Sequence, residues 1–256
     1  YLHHNRILEM LLAKLPLDEV LSDIVSDVEL LVPGSICSIL LTDDSGTRLT
    51  HGAAPNLPDF YINAINGAKI GPATGSCGTA AFLGERVVVV DTQTHPYWRD
   101  YRELAAQAGL RACWSQPIFS AQGKVLGTFA IYHRNPSSPQ AEDLRLIESE
   151  ARLSALAIEQ SHVETRLQLA ASVFTHAREG IFITDLRGNI IEVNQIFSDI
   201  TGYNLGREEA KLAKFKVADV YSVFLRNLGS ETLRRSFFQE VYIPSLTDDD
   251  KTAAQD

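Results

Sequence analysis

Between Pro139 and Gly180 this chain of 256 residues contains neither proline nor glycine. A helix reaching to about Ala177 extends roughly 55–60 Å at 1.5 Å per residue, longer than one face of a compact domain of this size. Such a run is most economically one domain's last helix continuing as a linker. Within it, Leu144, Ile147, Ala151, Ser154 and Ile158 form a seam at three- and four-residue steps, and Leu156, His162, Val163 and Ala170 lie beside or off it. The seam is expected to meet a partner helix in a homodimer, Leu144, Ile147, Ala151 and Ile158 being buried between the two; the alternative is that it covers the domain's own sheet as far as Ile158. Its small and polar members argue against a strong zipper. The division expected is residues 1–158, a helical linker at 159–178, and a second domain at 179–256.

Ahead of the run the pattern is mixed. Ile7, Leu8, Leu11 and Leu15 suit one face of a short helix, and Leu17, Leu21, Ile24, Val28 and Leu31 suit a longer one. Asp18 and Glu19 lie in the first turn of the longer helix, and Pro33-Gly34 stops it. Strands are expected at 36–42 and 47–51 around the turn 43–46, and at 110–119 and 124–132 around the turn 120–123. Residues 86–91 are apolar enough for a central strand, and Pro117 calls for an edge or a bulge. Short helices are expected at 59–66, 76–83 and 98–108. After the run, a hairpin at 180–184 and 189–193 turns through Asp185-Leu186-Arg187-Gly188, and a helix covers 195–200. Farther on, helices at 208–212 and 228–239, a strand at 241–243 and an acidic tail complete the reading. Together these elements describe an α+β chain.

Composition removes several classes of function. Thirty-two acidic against 23 basic residues give a net charge of −9, which disfavours a broad phosphate-binding surface and a nucleic-acid partner. The longest purely aliphatic run is residues 87–90, too short to span a bilayer. Residues 1–6 lack the basic segment and apolar stretch of a secretory signal, so a cytoplasmic location is expected. Cys37, Cys77 and Cys113 are odd in number, widely spaced and without a CxxC. They suggest buried thiols in a reducing compartment, with neither a disulfide framework nor a zinc cluster.

No catalytic motif emerges. Cys77 precedes a short helix, where a thiol can be acidified, while Cys113 lies inside a strand. Gly71, Gly75 and Gly78 lack the Lys-Ser/Thr of a phosphate loop and are read as turn formers. Thr74, Ser76 and Thr79 can hydrogen-bond a ligand, or Thr74 or Ser76 can cap the helix. Asp91 ends its strand and can face a pocket. Trp98, Tyr101, Trp114 and Phe129 supply either core or apolar pocket walls, with Arg111 or Ser115 as polar anchors. The histidines His51, His95, His133, His162 and His176 carry no metal-binding spacing, so no metal ligand is assigned. Asp43-Asp44 and Asp248-Asp249-Asp250 suit solvated turns and tails.

Five blocks resemble the GAF domains of bacterial sensory-box signalling proteins. They are Gly75-Ser76-Cys77-Gly78-Thr79-Ala80-Ala81, Val88-Val89-Val90-Asp91, Pro96-Tyr97-Trp98, the run from Gly109 to Ile118, and Gly127-Thr128-Phe129-Ala130-Ile131-Tyr132. Farther on, the run from Glu179 to Asp185, then Gly188-Asn189-Ile190-Ile191, Asn194, Phe197 and Thr201-Gly202-Tyr203, resembles the opening of a PAS domain. The 77 residues from Gly180 onward are fewer than a whole PAS domain uses, so a partial or atypical one is expected. The resemblance implies a GAF fold of a central antiparallel sheet flanked by helices. It implies a dimeric sensor joined through its N-terminal and linker helices, and a downstream output domain such as a diguanylate cyclase, a cyclic-di-GMP phosphodiesterase or a histidine kinase. It also implies a small-molecule pocket, for which the candidates are Cys77, Asp91, Trp98, Tyr101, Arg111, Trp114 and Ser115. The ligand is unknown and no cofactor is expected: the signatures of flavin, bilin and cyclic-nucleotide domains are missing, as are GGDEF-like and EAL-like motifs. The Gly-Ser-Cys-Gly-Thr-Ala block also looks like part of the free-methionine-sulfoxide reductases. A thiol enzyme is therefore one alternative, and a ligand-free dimerisation module another.

Overall fold

The computed structural model describes residues 2–184 and 190–201. The chain divides into two compact units, the first ending at Thr165 and the second beginning at Arg166. The first unit opens with α1 (Leu2–Leu12), α2 (Leu17–Leu31), β1 (Ser35–Thr42) and β2 (Arg48–Ala53). There follow α3 (Asp59–Ile65), β3 (Ala68–Lys69), α4 (Gly75–Leu83), β4 (Val87–Val89), a 3-10 turn (Pro96–Tyr101) and α5 (Arg102–Gln107). The unit closes with β5 (Ala112–Phe119), β6 (Val125–His133) and the 36-residue α6 (Ala141–His176), which runs on into the second unit.

Six antiparallel strands make one sheet in the order β3-β2-β1-β6-β5-β4. Alternation along each strand sends side chains to opposite faces. Cys37, Ile39, Trp114, Ile118, Phe129 and Ile131 meet Leu21, Ile24 and Val28 of α2 and Ile147 and Ile158 of α6. Leu40, Cys113, Ala130 and Tyr132 meet Tyr61 of α3, Ala80 of α4 and Trp98. The sheet is thus covered on both sides, and its α+β class follows.

The long helix corrects the expectation that its seam is a dimer contact. Ile147, Ala151, Ser154 and Ile158 are buried against the unit's own sheet, so these residues are not free for a partner. Ser154 turns its hydroxyl back to the Glu150 carbonyl at 2.7 Å, which satisfies the one polar atom in the row. Each fully buried isoleucine there contributes roughly 1.5–3 kcal/mol. Leu156, Val163, Leu167 and Val173 remain exposed.

Two strand expectations separate here. β4 is an edge strand, not a central one. Its apolar run arises because both of its faces are covered: Val87 and Val89 face α4, and Val88 packs on the opposite side. Its length of three residues, with Ser137 N–H donating to the Val90 carbonyl, limits the exposed edge. Pro117 lies past the residues of β5 that pair with β4, and the β5–β6 register shifts at Ile118/Phe119. The proline thus sits beside an irregularity near the end of the strand, as its missing N–H called for.

In the second unit, β7 (Phe182–Thr184) and β8 (Ile190–Val193) pair antiparallel, and α7 (Gln195–Thr201) follows. Asn194, 2% exposed, ties them together. Its Oδ1 accepts from the backbone N–H groups of Ile181 and Phe197, and its Nδ2 donates to the carbonyls of Phe174 and Glu179. The turn at 185–188 and the elements expected beyond residue 201 lie outside the described residues. Among the described residues, no helix is long and apolar enough to cross a membrane.

Candidate ligand-binding site

The site is built around the first turn of α4. Gly75 opens the helix at φ +66°, and Gly78 lets it settle on β3: a Cβ there would lie 2.9 Å from the Lys69 carbonyl oxygen. Neither Thr74 nor Ser76 caps the helix. Thr74 Oγ1 donates to the Gly71 carbonyl at 3.0 Å. Ser76 Oγ donates to the Cys113 carbonyl at 3.1 Å and accepts from the Trp98 indole N–H at 3.0 Å. One hydroxyl thereby joins α4, the 3-10 turn and β5.

Between α4, α3 and the sheet lies a narrow cleft with an open mouth and an interior volume of about 30 Å³. Leu40, Leu49, Tyr61 and Ile65 form apolar walls, Trp98 and Tyr101 flank the first turn of α4, and Tyr132 rises from the sheet. Tyr61 meets the Tyr132 ring edge-on at a centroid distance of 6.1 Å. Tyr132 Oη accepts from Ser38 Oγ at 3.3 Å and lies 3.8 Å from Cys77 Sγ. Apolar walls with a few convergent polar groups are the lining chemistry of a small-molecule site.

The thiols there have opposite tendencies. The Cys113 thiol, donating toward Cys77, holds the Cys77 pKa below that of an ordinary thiol against the opposing effect of burial, and hydroxyls of Ser115, Tyr132 and Thr128 assist. Cys113 is pushed well up, first by burial and then by its role as donor to Cys77. Ser115 Oγ and Thr128 Oγ1 are buried without a conventional hydrogen-bond partner, so a weak approach to sulfur is their remaining outlet.

Of the seven residues anticipated for a pocket, Cys77, Trp98 and Tyr101 line the cleft. Ser115 sits beneath it near Cys77. Trp114 points to the opposite face of the sheet, in the core formed with α2 and α6, and donates its indole N–H to the Ser137 carbonyl at 3.1 Å. Asp91 and Arg111 pair with each other through two contacts of 3.2 and 3.1 Å, outside the cleft lining. Asp91 also receives the Gln93 N–H, so this pair clasps the loop after β4. Tyr61 and Tyr132, with the apolar Leu40, Leu49, Ile65 and Ala68, are cleft residues that sequence reading missed. Tyr132 had a signal, since it shares strand parity with Thr128 in the last of the five blocks. Among the described residues, no histidine or carboxylate lines the cleft, and none of its side chains belongs to a metal-binding set.

Residues 14–159 match the GAF domain family, and residues 168–240 match a PAS domain family. The methyl sulfide methyltransferase-associated sensor of Methanosarcina acetivorans is 38% identical over an alignment of 210 residues, covering 79% of this chain and 21% of that protein. The chain therefore spans about a fifth of the length of this curated relative. The GAF domain of a phosphoenolpyruvate-protein phosphotransferase from Coxiella burnetii superposes with a TM-score of 0.54 at 19% identity, covering 64% of this chain and 95% of that one. The free methionine-R-sulfoxide reductase of Neisseria meningitidis superposes with a TM-score of 0.50 at 18% identity, over 63% and 89% of the two chains. At such identities the shared property is the fold.

Proposed function

This chain belongs to the GAF domain family, with a PAS-type domain after it, and we propose that its sensory module takes a small, mainly apolar molecule in the cleft beneath α4. The observation that carries the reading is the cleft itself: apolar walls, an aromatic floor, and Cys77, Trp98 and Tyr101 at the first turn of α4. Occupancy would reset the packing of α4 on β5 and β6, and that sheet carries α6 on its other face. The signal then leaves through α6 toward a downstream output domain of a cytoplasmic signalling protein. The similarity to a curated sensor of which this chain spans about a fifth supports a larger parent.

The same reading includes a homodimer through α1 and α6, at a different face from the seam. Leu8, Leu12 and Leu15, together with Leu156, Val163 and Leu167, are exposed at steps of three, four or seven residues. A second copy of α6 would cover the latter row as a helix pair.

Native mass spectrometry and an absorption spectrum of freshly purified protein test the cleft. The expected result is a colourless protein carrying an added mass, lost in Cys77→Leu, whose larger side chain fills the cleft. No added mass, and no thermal shift across a metabolite panel, would overturn the ligand reading. Steady turnover of free methionine sulfoxide with a thiol reductant, abolished by Cys77→Ser, would replace it with an enzyme.

A further inference from the structure

We infer that His3, His4 and Glu150 form a site for a divalent transition-metal ion of the zinc class, linking α1 to α6. The site lies on the side of the sheet away from the cleft and does not rest on the ligand reading.

Glu150 is 2% exposed. A buried carboxylate requires positive charge or several donors, and among the described residues its ion-pair partners are two histidines. His3 Nε2 lies 3.0 Å from Oε2, and His4 Nε2 lies 3.1 Å from Oε1. The other ring nitrogen of His3, Nδ1, is held by the Asp27 carboxylate of α2, which Arg6 also contacts. An Nδ1–H given to Asp27 leaves a lone pair on His3 Nε2, aimed at a carboxylate oxygen. Two lone pairs at that distance repel unless a cation, a proton or a metal ion, sits between them. A carboxylate holding Nδ1–H while Nε2 faces outward is the outer support that metal-bound histidines usually have.

The geometry suits one ion. The two ring nitrogens and the carboxylate lie within 4.8 Å of one another, and among the described residues this is the one such group of metal-type ligands. Ligands about 2.0–2.1 Å from a tetrahedral zinc stand roughly 3.3 Å apart, so the two histidine–carboxylate spacings of 3.0 and 3.1 Å open by a few tenths of an ångström, and the widest spacing in the group, within 4.8 Å, draws in as the exposed His4 side chain turns toward the ion. Two imidazoles and one carboxylate suit zinc and its neighbours, whereas calcium and magnesium prefer sets of oxygen ligands. The His4 side chain is 43% exposed, which leaves water access to a fourth position. The adjacent histidines are 146 residues or more from Glu150, so no spacing motif reveals the site. Bound there, the ion fastens α1 and α6 and, through Asp27, orients α2.

The test uses the 256-residue chain stripped of metal and titrated with cobalt(II) chloride, then zinc chloride. The expected result is one cobalt per chain with visible ligand-field bands, displacement by zinc, and a melting temperature raised by zinc. His4→Ala alters a partly exposed side chain and should fold normally while losing at least tenfold in affinity. Asp27→Asn should weaken binding about 10–100-fold, as loss of an outer-sphere partner does. Circular dichroism verifies that each variant is folded. Absence of ligand-field bands with cobalt in excess, or affinity unchanged in folded His3→Ala and His4→Ala, overturns the site.

Discussion

The indole N–H of Trp98 donates to Ser76 Oγ at 3.0 Å, and the same hydroxyl donates onward to the Cys113 carbonyl at 3.1 Å. Ser76→Ala leaves the buried Trp98 indole N–H without its acceptor where the wall of the cleft is built. The expected loss is about 1–3 kcal/mol of stability, read from urea denaturation midpoints. In a Trp98→Phe background the donor is already gone, so the same change should cost less. Equal losses in the two backgrounds would show that the bond carries no stability.

Gly78→Ala places a methyl group 2.9 Å from the Lys69 carbonyl oxygen, a backbone atom that cannot rotate away. Overpacking of this kind costs about 1–3 kcal/mol, so the melting temperature should fall by about 2–10 °C. A variant that melts with the wild type would mean that α4 is not pressed on β3.

The thiols should differ in reactivity. Cys77 is 8% exposed at the cleft with a lowered pKa, whereas Cys37 and Cys113 are fully buried with raised ones. Brief maleimide treatment of the native protein near neutral pH, followed by peptide mapping, should find label on Cys77 first. Label appearing first on Cys37 or Cys113 would contradict this order.

Acid should weaken the loop after β4. Arg111 hydrogen-bonds Asp91 and lowers its pKa below the ordinary 3.8, and Ser45 does the same for Asp43, followed by the Arg48 backbone N–H. A depressed carboxylate contributes stability that is complete above its unfolded pKa and is lost as pH falls through the folded one. Stability should therefore decline below about pH 4, and Asp91→Asn should flatten that decline in a pH series of denaturation midpoints. An identical slope in the variant would remove the pair from the account.

The two faces of α6 should respond differently to charge. Ile147→Glu buries a carboxylate in the core and should cost about 4 kcal/mol or more, whatever the oligomeric state. A Val163→Glu, Leu167→Glu double variant alters exposed side chains and should leave the fold intact while converting a dimer to monomer in sedimentation equilibrium. A dimer unchanged in the double variant would move the assembly surface elsewhere.

Local order was legible in the sequence because it depends on neighbours in the chain. The stripe from Leu17 to Leu31, the turns at Gly46 and Gly123, and the proline-free run that became α6 were readable from spacing and backbone preference alone. Three of the five blocks supply residues to the cleft, and the blocks at residues 88–91 and 109–118 supply none to its lining. Which side chains enter it was settled by strand pairing. Trp114 and Ser115 are adjacent, and a pleated strand sends one to the core under α2 and the other beneath the cleft. Asp91 finds Arg111 across two loops, and Tyr132 comes under Cys77 from 55 residues away. The same limit applied to β4, whose apolar run records cover on both faces but not its place at the sheet's edge. Periodicity in the seam of α6 showed that one face is buried, and tertiary packing decided that the unit's own sheet buries it. Sequence spacing reports contacts within one helix or strand. The contacts that define the cleft and the histidine–glutamate cluster join distant segments, and only the folded chain brings those together.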